Sequence, residues 1–136
     1  MSLTTAVRTC FQKYGTFEGR ARRSEFWWWM LFQTLVTVIV AMIGLGFVLA
    51  SSAGNPDGQA NGPLLVVGMI FYALALLIGL ALLVPTYAVG CRRLHDRGMS
   101  GWLQLLVLVP CGNIVLLVFW VLGGSPGKNN YGEKTA

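Results

Sequence analysis

The polar chemistry of this chain gathers in two short strings. One is Arg20-Ala21-Arg22-Arg23-Ser24-Glu25, which runs into Phe26-Trp27-Trp28-Trp29. The other is Arg92-Arg93-Leu94-His95-Asp96-Arg97-Gly98, followed by Gly101-Trp102. Guanidinium groups offer forked donors that match phosphate oxygens. Arg93 and Arg97 are four residues apart, so on a helix they present two forks on one face, and Arg92 and Asp96 at the same spacing can pair. Glu25 can neutralise a further arginine at the start of the apolar run. The residues Arg20, Arg22, Arg23, Glu25, Arg92, Arg93, His95, Asp96 and Arg97 therefore form a candidate site for an anionic headgroup or a partner protein. The plainer reading of the same residues is a positive membrane anchor with internal ion pairs.

His95-Asp96 invites a general-base reading, because imidazole titrates near neutral pH. Nothing around it completes a catalytic set: there is no nucleophile elbow, carboxylate dyad or metal-ligand cluster. One histidine cannot build a multi-histidine metal site, and Cys10, Cys91 and Cys111 lack CxxC or metal-ligand spacing. The expectation is no catalytic residue, no metal and no cofactor, with the cysteines acting as small apolar side chains.

The elements that must position these strings follow from composition. The 136 residues suffice for one domain; 55% are hydrophobic and only 11% charged, against a usual charged share of about 25%. Five acidic residues cannot solubilise so apolar a globule, so lipid is the expected solvent for much of the surface. The net charge of +5 is not read as nucleic-acid binding, since the basic residues abut apolar runs; anionic phospholipid is the expected partner. Residues 1–25 lack a short apolar core with a small-residue cleavage site, so the first apolar run is expected to stay as an anchor.

Phe26–Ala50 and Leu64–Gly90 carry no charge. Each exceeds the ~20 residues that cross ~30 Å of hydrocarbon. Between them, Ser51–Pro63 is rich in Gly, Asn and Ser with Asp57 as its one charge, and reads as a water-exposed loop. Arg8, Lys13, Arg20, Arg22 and Arg23 precede the first span, and Arg92, Arg93 and Arg97 follow the second, whereas the 51–63 loop has no Lys or Arg. This asymmetry places the N-terminus and the 91–101 loop in the cytoplasm.

The third apolar run, Trp102–Leu122, is ambiguous. Trp102 and Trp120 could mark two interfaces roughly 27 Å apart on one helix, or the same interface if the chain turns at Pro110-Cys111-Gly112-Asn113. Arms of ~8 residues reach only ~12 Å and leave backbone groups to be satisfied in lipid, which favours a Pro-kinked span with an extracytoplasmic C-terminus over a re-entrant hairpin. At the other end of the chain, Leu3, Val7, Cys10, Phe11 and Tyr14 fall on one helical face, predicting an amphipathic interfacial helix that Gly15 and Gly19 terminate. Gly46-xxx-Ala50 and Ala75-xxx-Gly79 are small-residue pairs suited to close helix packing, within the chain or in a homo-oligomer. The tail from Gly123 should be irregular.

Three blocks of residues resemble the DUF805 family of small bacterial inner-membrane proteins. They are Tyr14-Gly15-Thr16-Phe17-Glu18-Gly19-Arg20-Ala21-Arg22-Arg23-Ser24-Glu25-Phe26-Trp27; Arg92 to Trp102; and Pro110 and Gly112 with Gly127-Lys128-Asn129-Asn130-Tyr131-Gly132. The resemblance implies a polytopic protein of the bacterial cytoplasmic membrane. It implies no activity, because the family is one of unknown function.

The reading is an all-α integral membrane protein forming one membrane domain: an amphipathic N-terminal helix and three transmembrane helices. Its expected role is a non-enzymatic accessory or scaffold component whose basic face binds anionic lipid or a partner. A homo-oligomeric channel or transporter-like element is the alternative, and an enzyme acting on lipid phosphates ranks last.

Overall fold

The computed structural model describes residues 1–53 and 59–133, and these are helical apart from turns, loops and a single Asn129–Gly132 bridge. Helix α1 is Leu3–Gln12. It starts where Ser2 Oγ accepts the Thr5 N–H at 3.3 Å, satisfying one of the orphan donors of the first turn. Ala6 and Cys10 are its buried residues, and Phe11 remains exposed with its ring edge-on to Trp29 at 5.3 Å. Tyr14 lies beyond the helix.

Helices α2, Arg23–Ser52, and α3, Gly62–His95, contain the two charge-free runs. They have 30 and 34 residues, against the ~20 needed to span a bilayer core. The most apolar window of each is only 11% buried, unlike the core helix of a soluble protein. Both helices extend into the expected loop, since Ser51, Ser52, Gly62 and Pro63 are helical. Pro63 occupies the first turn, where its missing N–H costs no bond. Asp57 lies outside the described residues.

The chain forms two compact units, and both long helices contribute to each. In the unit of residues 33–82, α2 and α3 approach at Gly44 and Gly68. A Cβ on Gly68 would sit 2.6 Å from Val48 Cγ2 and 3.0 Å from the Gly44 carbonyl oxygen, so only glycine permits this spacing. Phe47 and Phe71 stack beside it at 5.7 Å. The small-residue pairs picked out from the sequence are not the ones used there: nothing lies within 4 Å of a Cβ built on Gly46 or Gly79.

The other unit comprises residues 1–32 and 83–136. Its apolar centre holds Trp29, Phe26, Val89, Leu94 and Leu116, all buried. The Trp29 indole N–H donates to Thr86 Oγ1 at 3.0 Å, so the ring is buried with its polar atom satisfied.

The third apolar run does not form the single Pro-kinked helix expected of it. Gly101–Leu108 is a 3₁₀ helix, capped by Ser100, and α4 is Gly112–Val121. Between them Val109 N–H bonds the Leu106 carbonyl at 3.0 Å and Gly112 N–H the Val109 carbonyl at 2.8 Å, while Cys111 takes φ +62°. The two arms lie against one another as a hairpin. Both ends return to α3: Gly101 packs on Cys91 and His95, and the carbonyls of Trp120 and Leu122 accept from Arg93. Two physical causes coincide. Pro110 has no N–H to continue a helix, and Arg93 supplies donors to carbonyls that the end of α4 would otherwise leave open. The tail from Gly123 consequently packs at the His95–Asp96 end of α3, which corrects the expectation that it lies a span away.

Candidate functional site

The end of α3 closes with a left-handed glycine. Gly98 has φ +74°, its N–H bonds the His95 carbonyl at 2.9 Å, and the Met99 N–H bonds the Leu94 carbonyl at 3.1 Å. These two bonds define a Schellman cap, and they explain why glycine follows Arg97. The approach to α2 runs alongside: Ala21 N–H donates to the Arg92 carbonyl at 3.0 Å and Ala21 is fully buried. With Ala21 pinned, Arg20 lies inside the protein, whereas Arg22 and Arg23 are exposed.

Arg20 and Arg93 clasp Asp96 from two sides. Arg20 Nε donates to Asp96 Oδ1 at 2.8 Å, and Arg93 Nη1 donates to Asp96 Oδ2 at 2.5 Å. The remaining nitrogens of Arg20 donate to the carbonyls of Gly127 at 2.7 Å, Asp96 at 3.1 Å and Ser125 at 3.1 Å. Those of Arg93 serve the carbonyls of Trp120 at 3.2 Å and of Leu122. All three side chains are buried. Arg20 thus ties the tail to α3, and Arg93 ties the end of α4 to it. Arg97 adds a bond to the Phe119 carbonyl at 3.4 Å, with its guanidinium 5.7 Å from the Phe119 ring centre. Cations belong at a helix C-terminus, where the open carbonyls concentrate negative charge.

Arg92 points elsewhere. Its Nη1 donates to Glu25 Oε1 at 2.6 Å, with both groups buried. Arg92 Nε and Nη2 are buried without a hydrogen-bond partner among the described residues. Cys10 of α1 belongs to this pocket: burial pushes its thiol up to about 12, the Glu25 charge adds to the rise, and the Arg92 guanidinium opposes it. A thiol so protonated is a packing group rather than a nucleophile.

The pairing read from sequence is therefore exchanged. Arg92 pairs with Glu25 across 67 positions rather than with Asp96 one turn on, and Asp96 takes Arg93 three residues before it. Arg93 and Arg97 present their forks to carbonyls of the third apolar run. His95 stands apart from both pairs: its Nδ1 is 3.2 Å from the Gly19 carbonyl, and its ring stacks on Tyr131 at 3.9 Å and 2°. Asn129 Nδ2 donates to the His95 carbonyl at 2.9 Å.

The tail supplies groups that pattern reading passed over. Ser125 N–H donates to the Asp96 carbonyl at 2.8 Å, and Asn129 and Tyr131 hold His95. A Cβ on Gly124 would lie 2.0 Å from Asp96 Oδ2, so the backbone must pass bare over the carboxylate. The signal in the sequence for Asn129 and Tyr131 is the Gly127–Gly132 block that carries the family resemblance, and Gly124 and Ser125 lie outside that block. Among the described residues, no three His, Cys, Asp or Glu side chains gather as a metal site.

The three resemblance blocks thus converge on one buried polar knot around Asp96. Residues 14–133 match the family described as Protein of unknown function (DUF805). The chain belongs to the DUF805 family. Its DUF805 relatives include Inner membrane protein YhaI of Escherichia coli strain K12, 35% identical over 123 residues that cover 90% of this chain and 87% of the relative. Inner membrane protein YhaH of the same organism is 32% identical over 124 residues, covering 89% and 88%. No solved structure matches. With relatives in the inner membrane and two helices long and apolar enough to cross a bilayer, this DUF805 chain is a membrane protein. The DUF805 match begins at Tyr14, after α1.

Proposed function

We propose that this protein is a non-enzymatic accessory component of the bacterial inner membrane, crossing it twice, with a basic cytoplasmic rim that holds anionic lipid. The observation carrying this reading is the division of labour among the arginines. Arg20, Arg92 and Arg93 are spent inside the fold on Asp96, Glu25 and backbone carbonyls. Arg22 and Arg23 are exposed at the head of α2, directly before the exposed rings of Trp27 and Trp28. Basic side chains beside amphipathic indoles match the headgroup layer, where each Lys or Arg attracts anionic lipid by about 1 kcal/mol. Arg8 and Lys13 on the exposed surface of the N-terminal segment add to the same rim, and α1 then lies at the interface. In this topology the 101–122 hairpin dips into the cytoplasmic leaflet and returns, and both termini are cytoplasmic.

Two measurements test the reading. In full-length protein reconstituted with mixed phosphatidylglycerol and phosphatidylcholine, the Arg22→Ala/Arg23→Ala double variant should retain roughly 30-fold less phosphatidylglycerol, matching about 2 kcal/mol. Unchanged lipid retention would end the lipid-rim proposal. A green fluorescent protein fused after Ala136 should fluoresce and an alkaline phosphatase fused there should be inactive; an active phosphatase would overturn the cytoplasmic C-terminus.

A further inference from the structure

A cavity of about 520 Å³ lies between the end of α3, the 3₁₀ helix and the tail, walled mostly by the rings of Phe17, Tyr87, Trp102 and Tyr131. No Asp, Glu, Lys or Arg side chain lines it among the described residues. It does contain one thiol and one imidazole, Cys91 and His95. Cys91 has no cysteine at metal-ligand spacing, but His95 stands four residues on in α3. Residues at that spacing share one helix face, which is how paired helical ligands reach a common ion.

Gly101 marks where the two donors meet. A Cβ built on it would stand 3.0 Å from Cys91 Sγ and 3.0 Å from His95 Nε2. The midpoint between the donors is no farther from either, and glycine brings no side chain to it. The imidazole is already set as a ligand. Its Nδ1 faces the Gly19 carbonyl at 3.2 Å, an acceptor, so Nδ1 carries the proton and Nε2, beside Gly101, keeps its lone pair. An imidazole N–H on a backbone carbonyl is a usual outer-shell support of a metal-bound histidine. Tyr131, stacked on the ring at 3.9 Å, fixes its plane. Cys91 Sγ donates to the Gly101 carbonyl at 3.5 Å, a weak bond that is given up when the thiol proton leaves.

Two donors without a carboxylate select among ions. Mg²⁺ and Ca²⁺ call for several oxygen ligands, and structural Zn²⁺ for four ligands. No third His, Cys, Asp or Glu joins Cys91 and His95 among the described residues. Thiolate and imidazole suit Cu(I), a closed-shell ion for which two ligands in line suffice. Charge points the same way: Cu(I) on a thiolate is neutral overall, and an apolar cavity penalises a neutral centre least. We infer that Cys91 Sγ and His95 Nε2 bind one soft monovalent cation, Cu(I), as a two-coordinate centre within this cavity. Binding breaks the Cys91 S–H bond, forms an S–Cu bond and releases the proton to solvent. The site stands apart from the basic rim and does not rest on it.

The test is anaerobic titration of the full-length Cys10→Ala/Cys111→Ala protein in nanodiscs with Cu(I), in competition with bicinchoninate. Those two substitutions leave Cys91 as the only thiol. One Cu(I) per chain is expected, with X-ray absorption showing one sulfur and one nitrogen around it. Cys91→Ser and His95→Gln should each weaken binding about 100-fold or more, since even an outer-shell partner is worth up to that much. Gly101→Ala keeps both donors but sets a methyl group against them, and should weaken binding at least about tenfold. It keeps the test usable where His95→Gln does not fold. No stoichiometric binding, a shell of sulfur alone, displacement by equimolar Zn(II), or unchanged affinity in any folded variant of the three would each overturn the assignment.

Discussion

Asp96→Ala should destabilise the protein by about 3–5 kcal/mol, the range for removing one member of a buried ion pair. The loss arises because Arg20 and Arg93 stay behind in a buried site with their shared counter-ion gone. Neither can swing into water without giving up the carbonyls of Gly127, Ser125, Trp120 and Leu122. The variant should therefore loosen the tail and the end of α4 together. Asp96→Asn should lose less, since one oxygen can still accept from one guanidinium. Thermal unfolding in nanodiscs gives the magnitude, and protease cleavage beyond Gly123 reports release of the tail. Wild-type melting of Asp96→Ala would show that the two arginines do not depend on it.

The second large effect concerns Glu25 and Arg92, and its informative part is a rescue. Glu25→Leu alone should cost about 3–5 kcal/mol, because it strands a buried guanidinium. Arg92 already has two nitrogens without hydrogen-bond partners among the described residues, so this pair starts under-compensated. Removing both charges with Glu25→Leu/Arg92→Met should recover most of the loss, as hydrophobic replacement of a buried pair is often neutral or stabilising. The neighbouring Cys10, buried and protonated beside both charges, favours this outcome. A double-mutant cycle measures the coupling directly. If the losses of the two single variants simply add in the double variant, the 2.6 Å contact carries no net coupling.

The two long helices were legible because span length is written in the absence of charge. Phe26–Ala50 and Leu64–Gly90 lie wholly within α2 and α3. The hairpin was not legible in the same way. A run such as Trp102–Leu122 has one hydropathy whether it crosses or turns, and its Trp spacing suits both. What decides between them is whether other residues satisfy the backbone at the turn and at the open end. Arg93 does so at Trp120 and Leu122, and Arg97 at Phe119. The tail illustrates the same limit. GGSPGKNNYG reads as loop, yet its carbonyls are the acceptors that Arg20 requires.

By itself the sequence determined the solvent of this protein, its two long helices and its family. These depend on sums along a local stretch, or on residue identity at fixed positions. Tertiary structure alone decided which arginines serve the fold and which remain at the surface. For Arg20 and Arg92 that choice is set by partners 67 to 112 positions away, and for Arg93 by Asp96 with carbonyls 27 and 29 positions on, brought together when the three family blocks close around Asp96 and Glu25. A buried charge is tolerated only where acid and carbonyl oxygens converge on it. Arg20, Arg92 and Arg93 reach such oxygens, whereas Arg22 and Arg23 are left facing outward beside the tryptophans.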